Sequence, residues 1–182
     1  MLSDIKVKSL DVFYTPCVAR TPLKFGAVVV EYLDFCKVRA TVENGRGNVA
    51  EGWGGIFVMD FWGWPDPALG HPAKEAAMKD VIAGFADLAL GYTQHAHPIA
   101  LFMDIEHDLR KLNLDVCARH SLNPTPPFLS ALVCASPVDA AIHDAFGNVN
   151  QIDTYDGYGI ECWIECVGPT RVTECREVGG GQ

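Results

Sequence analysis

Ser136-Pro137-Val138-Asp139-Ala140-Ala141-Ile142-His143-Asp144-Ala145-Phe146-Gly147-Asn148-Val149 is the stretch from which the fold is read. Ser136 can cap a helix start, Pro137 suits the first helical position, and Asp139 sets a carboxylate near the positive end of the dipole. Val138, Ala141, Ile142, Ala145 and Val149 recur at three- and four-residue steps and make one apolar stripe. The small residues in that stripe let the helix lie close to a sheet or to another helix. Gly147 offers a left-handed stop. The pattern predicts a core helix that opens at Ser136, ends near Gly147 and keeps His143 and Asp144 on a solvated edge.

Working outward, Asn123-Pro124-Thr125-Pro126-Pro127 breaks any regular element, and Phe128 to Cys134 leads into the helix. Two further helices precede it. Pro72 to Leu90 carries Met78, Val81, Ile82, Phe85 and Leu88 or Ala89 on one face, with Gly91 as its stop. Pro98 to about Leu112 carries Phe102, Ile105, Leu109 and Leu112. The segment from Phe57 to His71 is aromatic and turn-rich, centred on Phe61-Trp62-Gly63-Trp64-Pro65.

Everything before that segment reads as strand. Ile5 to Phe13 alternates in part, with an irregularity expected near Leu10, and Thr15 to Gly26 is expected to be a loop around Pro16 and Pro22. Ala27 to Tyr32 and Phe35 to Glu43 are rich in β-branched residues. Asn44-Gly45-Arg46-Gly47 is a hairpin turn, and Asn48 to Gly55 returns as the third strand. The fold class is therefore α+β, a three-stranded antiparallel meander followed by a helical bundle.

Composition excludes several classes of function. The chain has 182 residues, 49% apolar and 20% charged, enough for one domain with a real core. A net charge of −9 without a basic run argues against nucleic acid as a partner. No signal peptide and no membrane-spanning run are read, so the expected location is cytoplasmic, away from any membrane. Of seven cysteines, Cys17, Cys36, Cys117 and Cys134 are scattered as single reduced thiols, while Cys162, Cys166 and Cys175 crowd the end.

Taken in order, several segments carry a resemblance: the first strand, Thr21-Pro22-Leu23-Lys24-Phe25, Asn44-Gly45-Arg46-Gly47, Glu51-Gly52-Trp53-Gly54, and the small-residue run Ala140-Ala141-Ile142-His143-Asp144-Ala145-Phe146-Gly147. Together they resemble the N-terminal capping domain of the enolase superfamily, on the branch of mandelate racemase and muconate-lactonizing enzyme. The resemblance spans residues 3–159, and residues 160–182 form a non-matching tail expected to be weakly ordered. Complete members of that family abstract the proton next to a carboxylate and stabilise the enediolate on Mg²⁺, as racemases or acid-sugar dehydratases. Their bases and metal ligands sit in a C-terminal barrel of about 200 residues or more. Residues 160–182 leave no room for one, so this chain is expected to hold no catalytic residue, no metal and no cofactor.

The resemblance implies where substrate contacts would lie. Two loops of the cap, about Thr15 to Gly26 and Gly52 to Trp64, would lean over the barrel mouth. Lys24 can meet a substrate carboxylate there, and Trp53, Trp62 or Trp64 can wall the pocket. The alternative is a solvated lysine and tryptophans packed under their own loop. Lys6-Val7-Lys8 is similar to a barrel Lys-x-Lys but falls on the first strand, where alternating lysines are solvated edge residues. His95-Ala96-His97 has no third ligand nearby and reads as surface. The expected partners are a barrel domain or the chain itself as a homo-oligomer. Two other functions stay open, a non-catalytic protein-interaction module and a small metal-binding protein built on Cys162, Cys166 and Cys175.

Overall fold

In the computed structural model, which describes residues 1–26, 28–123 and 125–159, the first third of the chain is one antiparallel sheet. Its strands are β1 (Ile5–Phe25), β2 (Val28–Asn44) and β3 (Val49–Phe57), in the order β1-β2-β3. Alternation decides the faces. Ile5, Val7, Cys36, Val38, Ala40 and Val42 point into the core, while Lys37, Arg39 and Trp53 lie on the opposite face. Asn44 anchors the β2–β3 turn: its side-chain oxygen accepts from the backbone amides of Arg46 and Asn48, and its Nδ2 donates to Val149 O and Asn150 Oδ1. Gly47, at φ 80°, supplies the left-handed residue of that turn.

Two strand expectations change. The expected loop from Thr15 to Gly26 is mostly strand, because β1 runs on to Phe25 and pairs with β2 down to Phe25↔Val28. Pro16 and Pro22 do not stop it, since β1 is an edge strand and an edge needs no donor on its outer side. The ladder is interrupted only between Val18 and Leu23, where β1 carries the extra residues of a bulge. Past Phe35 the two strands leave β3 behind and form a two-stranded arm. The irregularity expected near Leu10 falls at Lys8, an extra residue between the Val7 and Ser9 pairs. Lys8 Nζ donates to Glu43 at 3.1 Å on the exposed sheet surface, as expected of an edge lysine.

Four helices follow: a single turn α1 (Asp60–Gly63), then α2 (His71–Gly91), α3 (Pro98–Arg119) and α4 (Phe128–Asn150), closed by a 3₁₀ turn at Thr154–Tyr158. Helix α4 lies flat on β2 and β3 and also touches α2 and α3. The sequence of β3 permits that approach. A Cβ at Gly52 would fall 2.6 Å from Ala141 O and nearer still to Ala145 N, and one at Gly54 would fall 2.6 Å from Ala141 N. Helix backbone therefore rests on strand backbone, with Val138, Ala141, Ile142, Ala145 and Val149 buried in the seam.

The helix does not start where Ser136 and Pro137 suggest. It starts at Phe128, and Pro137 sits inside it. Proline lacks the amide that would bond the carbonyl four residues back. That carbonyl is Val133 O, and the Ser136 hydroxyl donates to it at 2.8 Å, so the residue that reads as a cap repairs an interior proline instead. The helix also outruns Gly147. Its left-handed stop is Gln151, at φ 57°, with the Ile152 amide donating back to Gly147 O at 3.1 Å. Gly147 is needed for closeness: a Cβ there would lie 3.1 Å from Ile152 O and strike Thr154 Oγ1.

His143 is half-buried rather than solvated, in contact with the Tyr158 hydroxyl through Nδ1. Residues 160–182, and with them the expectations about the tail and about Cys162, Cys166 and Cys175, lie outside the described residues.

Candidate functional site

Between β3 and α2 the chain makes a tight excursion, Val58 to Gly70, and a chain of buried charges holds it in place. Asp60 opens α1 and is buried; Lys74, one turn into α2, is buried beside it. Lys74 Nζ lies 2.7 Å from Asp60 Oδ2 and donates to the carbonyls of Trp64 and Asp66, both at 3.2 Å. One ammonium thus fastens three points of the excursion, and every acceptor offsets part of its desolvation. His71 Nδ1 shares Asp60 Oδ1 at 2.8 Å. From there the charges continue along α2 through Glu75, 3.1 Å from Lys79 Nζ, to Asp34 on β2, which Lys79 and the Tyr32 hydroxyl both contact. The hydrogen bond from Lys79, then that from Tyr32, holds the Asp34 carboxyl below the usual carboxylate range.

The arm folds over this excursion. Phe25 near its tip meets Phe61 at 5.2 Å between ring centroids. Between them opens a groove of about 730 Å³, walled by Val28, Val29, Val30 and Leu33 on the arm and by Phe61, Pro65 and Leu69 opposite. Asp60, Asp66, His71 and Lys74 add polar groups to its lining. Apolar walls with a few convergent polar groups are the usual chemistry of a ligand pocket.

The four residues singled out for substrate contact are not brought together. Lys24 is exposed on the arm. Trp62 is 50% exposed on α1. Trp53 lies on the far face of the sheet, under Lys37 Nζ at 4.0 Å and beside Phe13. Trp64 is 2% exposed and part of the core. None of the four lines the groove. Their neighbours Phe25, Asp60, Phe61, His71 and Lys74 do. The available signal was Lys74, a lysine three residues after His71 on a helix whose other inward positions are apolar.

The remaining polar groups are structural. Asp144 Oδ2 accepts the Trp53 amide at 2.8 Å, which occupies the open edge of β3. His97, read as surface, is buried. Its Nδ1 accepts from the Ile99 amide at the start of α3, and its Nε2 lies 3.1 Å from Gly157 O, consistent with the neutral ring protonated at Nε2. Burial pushes its pKa down. Burial also raises the Cys36 thiol to about 11 and raises Cys117 and Cys134, so these are packed thiols rather than nucleophiles. Among the described residues no group of three His, Cys, Asp or Glu side chains is placed to hold a metal ion, and no helix is long and apolar enough to cross a membrane.

No family model matches the sequence, and no curated protein matches it. Solved structures do match its fold. An enolase from Bradyrhizobium, crystallised with magnesium and mandelic acid, overlaps with a TM-score of 0.50 at 13% identity, over 86% of this chain and 35% of that one. A dipeptide epimerase from Enterococcus faecalis, complexed with Mg and the dipeptide L-Leu-L-Tyr, overlaps at 0.43 and 16% identity, over 85% and 35%. An enolase-superfamily member from Roseovarius nubinhibens overlaps at 0.40 and 18%, over 80% and 31%. The chain spans about a third of the length of each. Meander, helix order and the Bradyrhizobium overlap define the fold: it is that of the enolase N-terminal capping domain.

Proposed function

We propose that this chain is the capping, substrate-selecting domain of an enolase-superfamily protein of the mandelate racemase and muconate-lactonizing type. The observation that carries the reading is the Phe25–Phe61 contact, which joins the arm and the Val58–Gly70 excursion at one end of the sheet. In this reading that end faces a barrel supplied by a partner or by another part of the protein. The barrel would abstract an α-proton from a carboxylate substrate, as a racemase or an acid-sugar dehydratase does. This domain would close over it and sort substrates by shape. Lys24 and Trp62 are the exposed candidates for substrate contact at that end; Trp64, buried, would act through the excursion it packs beneath, and Trp53, exposed on the far face of the sheet, stands apart from them.

In this reading Mg²⁺, the ion of the complete family, would be held by the barrel, while the Asp60 carboxylate is matched by Lys74 at 2.7 Å. The role of Asp60, His71 and Lys74 is positional: they hold Phe61 and Trp62 at the rim without a further ligand. The test is a graft of residues 3–159 in place of the cap of an enolase-superfamily enzyme. A folded chimera that exchanges the α-proton of a carboxylate substrate supports the proposal, and a folded chimera without exchange refutes it.

The second reading, an interaction module, including association with a second copy, draws on the arm. Val18, Leu23 and Val29 are there more than half exposed.

A further inference from the structure

Beyond the capping role, the open edge of β2 has its own chemistry. Strand β3 pairs with β2 only along Phe35 to Glu43. The last hydrogen bond on that side runs from the Val58 amide to Asp34 O at 2.9 Å, after which the chain turns into α1. Val28 to Leu33 continue as strand, all but Glu31 paired with β1 on one side and with no strand on the other among the described residues.

Which backbone groups face that side follows from alternation. Asp34 O accepts from Val58 and the Asn44 amide donates to Asn48 O, so even-numbered residues of β2 turn their amides and carbonyls toward the β3 side. Tyr32 therefore presents its groups to the empty lane, and the burial of Val30 on the same face as Asp34 carries the alternation past the unpaired Glu31, so Val28 and Val30 do the same. That lane is the groove. Its opposite wall contains Pro65 and Pro67, which lack amide donors, and no residue of that wall pairs with β2 among the described residues.

We propose that this groove binds an extended peptide strand by β-strand addition, continuing the ladder where β3 leaves it. Six edge residues at about 3.3 Å each offer a ladder of roughly 20 Å. Alternate side chains of the incoming strand would fill the space among Val29, Leu33, Phe61 and Leu69. Charge selects the partner further. Glu31 and Asp66 both line the groove and neither has a cation within salt-bridge distance among the described residues, whereas Asp60 is matched by Lys74. The partner is thus an extended segment with alternating apolar residues and a flanking Lys or Arg. A second copy of β2 is disfavoured, because antiparallel self-pairing brings the two Glu31 side chains close together.

The test uses a fluorescein-labelled octapeptide, Lys-Val-Thr-Val-Lys-Val-Thr-Val, and the same peptide N-methylated at alternate amides so that it cannot form a ladder. Anisotropy is expected to show saturable binding of the first with Kd below about 1 mM, and at least tenfold weaker binding of the second. Peptide addition should slow exchange of the Val30 and Tyr32 amides. Val30→Pro removes a donor only on the open side and should weaken binding at least tenfold while leaving the circular dichroism unchanged. Leu69→Asp should do the same from the opposite wall. Equal binding of both peptides, no binding at 1 mM, or protection of these amides by self-association or by a barrel domain with the peptides inert would each overturn the proposal.

Discussion

Gly52→Ala adds one methyl group at the point where β3 carries α4. The new Cβ would sit 2.6 Å from Ala141 O and closer to Ala145 N, and both are helix backbone that no rotamer change can move. An ordinary contact needs about 3.5 Å, so α4 must retreat by more than about 1 Å, a gap that forfeits about half of the dispersion energy along the seam or more. The seam holds Val138, Ala141, Ile142 and Ala145 against Val38, Ala40 and Val42. Overpacking of this kind costs about 1–3 kcal/mol, and a backbone-on-backbone clash belongs at the upper end. For a chain of this size, about 2–3 kcal/mol lowers Tm by roughly 4–12 °C. Urea unfolding followed by circular dichroism measures it, with Gly91→Ala as control. Gly91 has nothing within 4 Å of its Cβ position, and its substitution should stay within about 0.5 kcal/mol. A Gly52→Ala protein as stable as the control would refute the placement of α4 on β3.

Asn44→Ala should cost about 1–3 kcal/mol in the same assay, because it strands the amides of Arg46 and Asn48 and unties the turn from α4; a neutral result would show that water replaces these bonds. Lys74→Met leaves the Asp60 carboxylate buried without its ammonium and should cost about 3–5 kcal/mol, part of which Asp60→Asn in the same chain restores. Asp34 has a depressed pKa, so its contribution to stability is present above the ordinary Asp value and is lost as pH falls through the acid range below it; Lys79→Met should flatten that loss. His97 also has a depressed pKa, and the unfolded chain then binds more protons below about pH 6.5, so stability falls with pH there and His97→Gln should remove that slope.

The elements with strong periodicity were legible in the sequence. The apolar stripe of α4, the Met78–Phe85 face of α2 and the Asn44–Gly47 turn were enough to indicate the fold class. What escaped were local rules overridden by long-range partners. Ser136-Pro137 reads as a helix start because sequence alone does not show that the serine hydroxyl serves Val133 O. Pro16 and Pro22 read as a loop until β1 is known to be an edge. The groove was hardest to foresee. Its polar residues pair across the sequence, Asp60 with His71 and with Lys74, and no spacing rule reports such pairs. The resemblance points to the tryptophans of the Gly52–Trp64 loop, yet Trp64 is core and Trp53 is on the far face.

The central claim is that the arm and the excursion select substrate for a barrel. It is tested most directly in the grafted chimera by the ratio of kcat/KM for two carboxylate substrates that differ in side-chain size. Trp62→Ala and Lys24→Ala, compared with the exposed α3 variant Leu114→Ala, should shift that ratio by roughly tenfold or more, the discrimination expected from one pocket contact. Leu114→Ala should leave it unchanged. A ratio that stays within about twofold in all three variants would contradict the account.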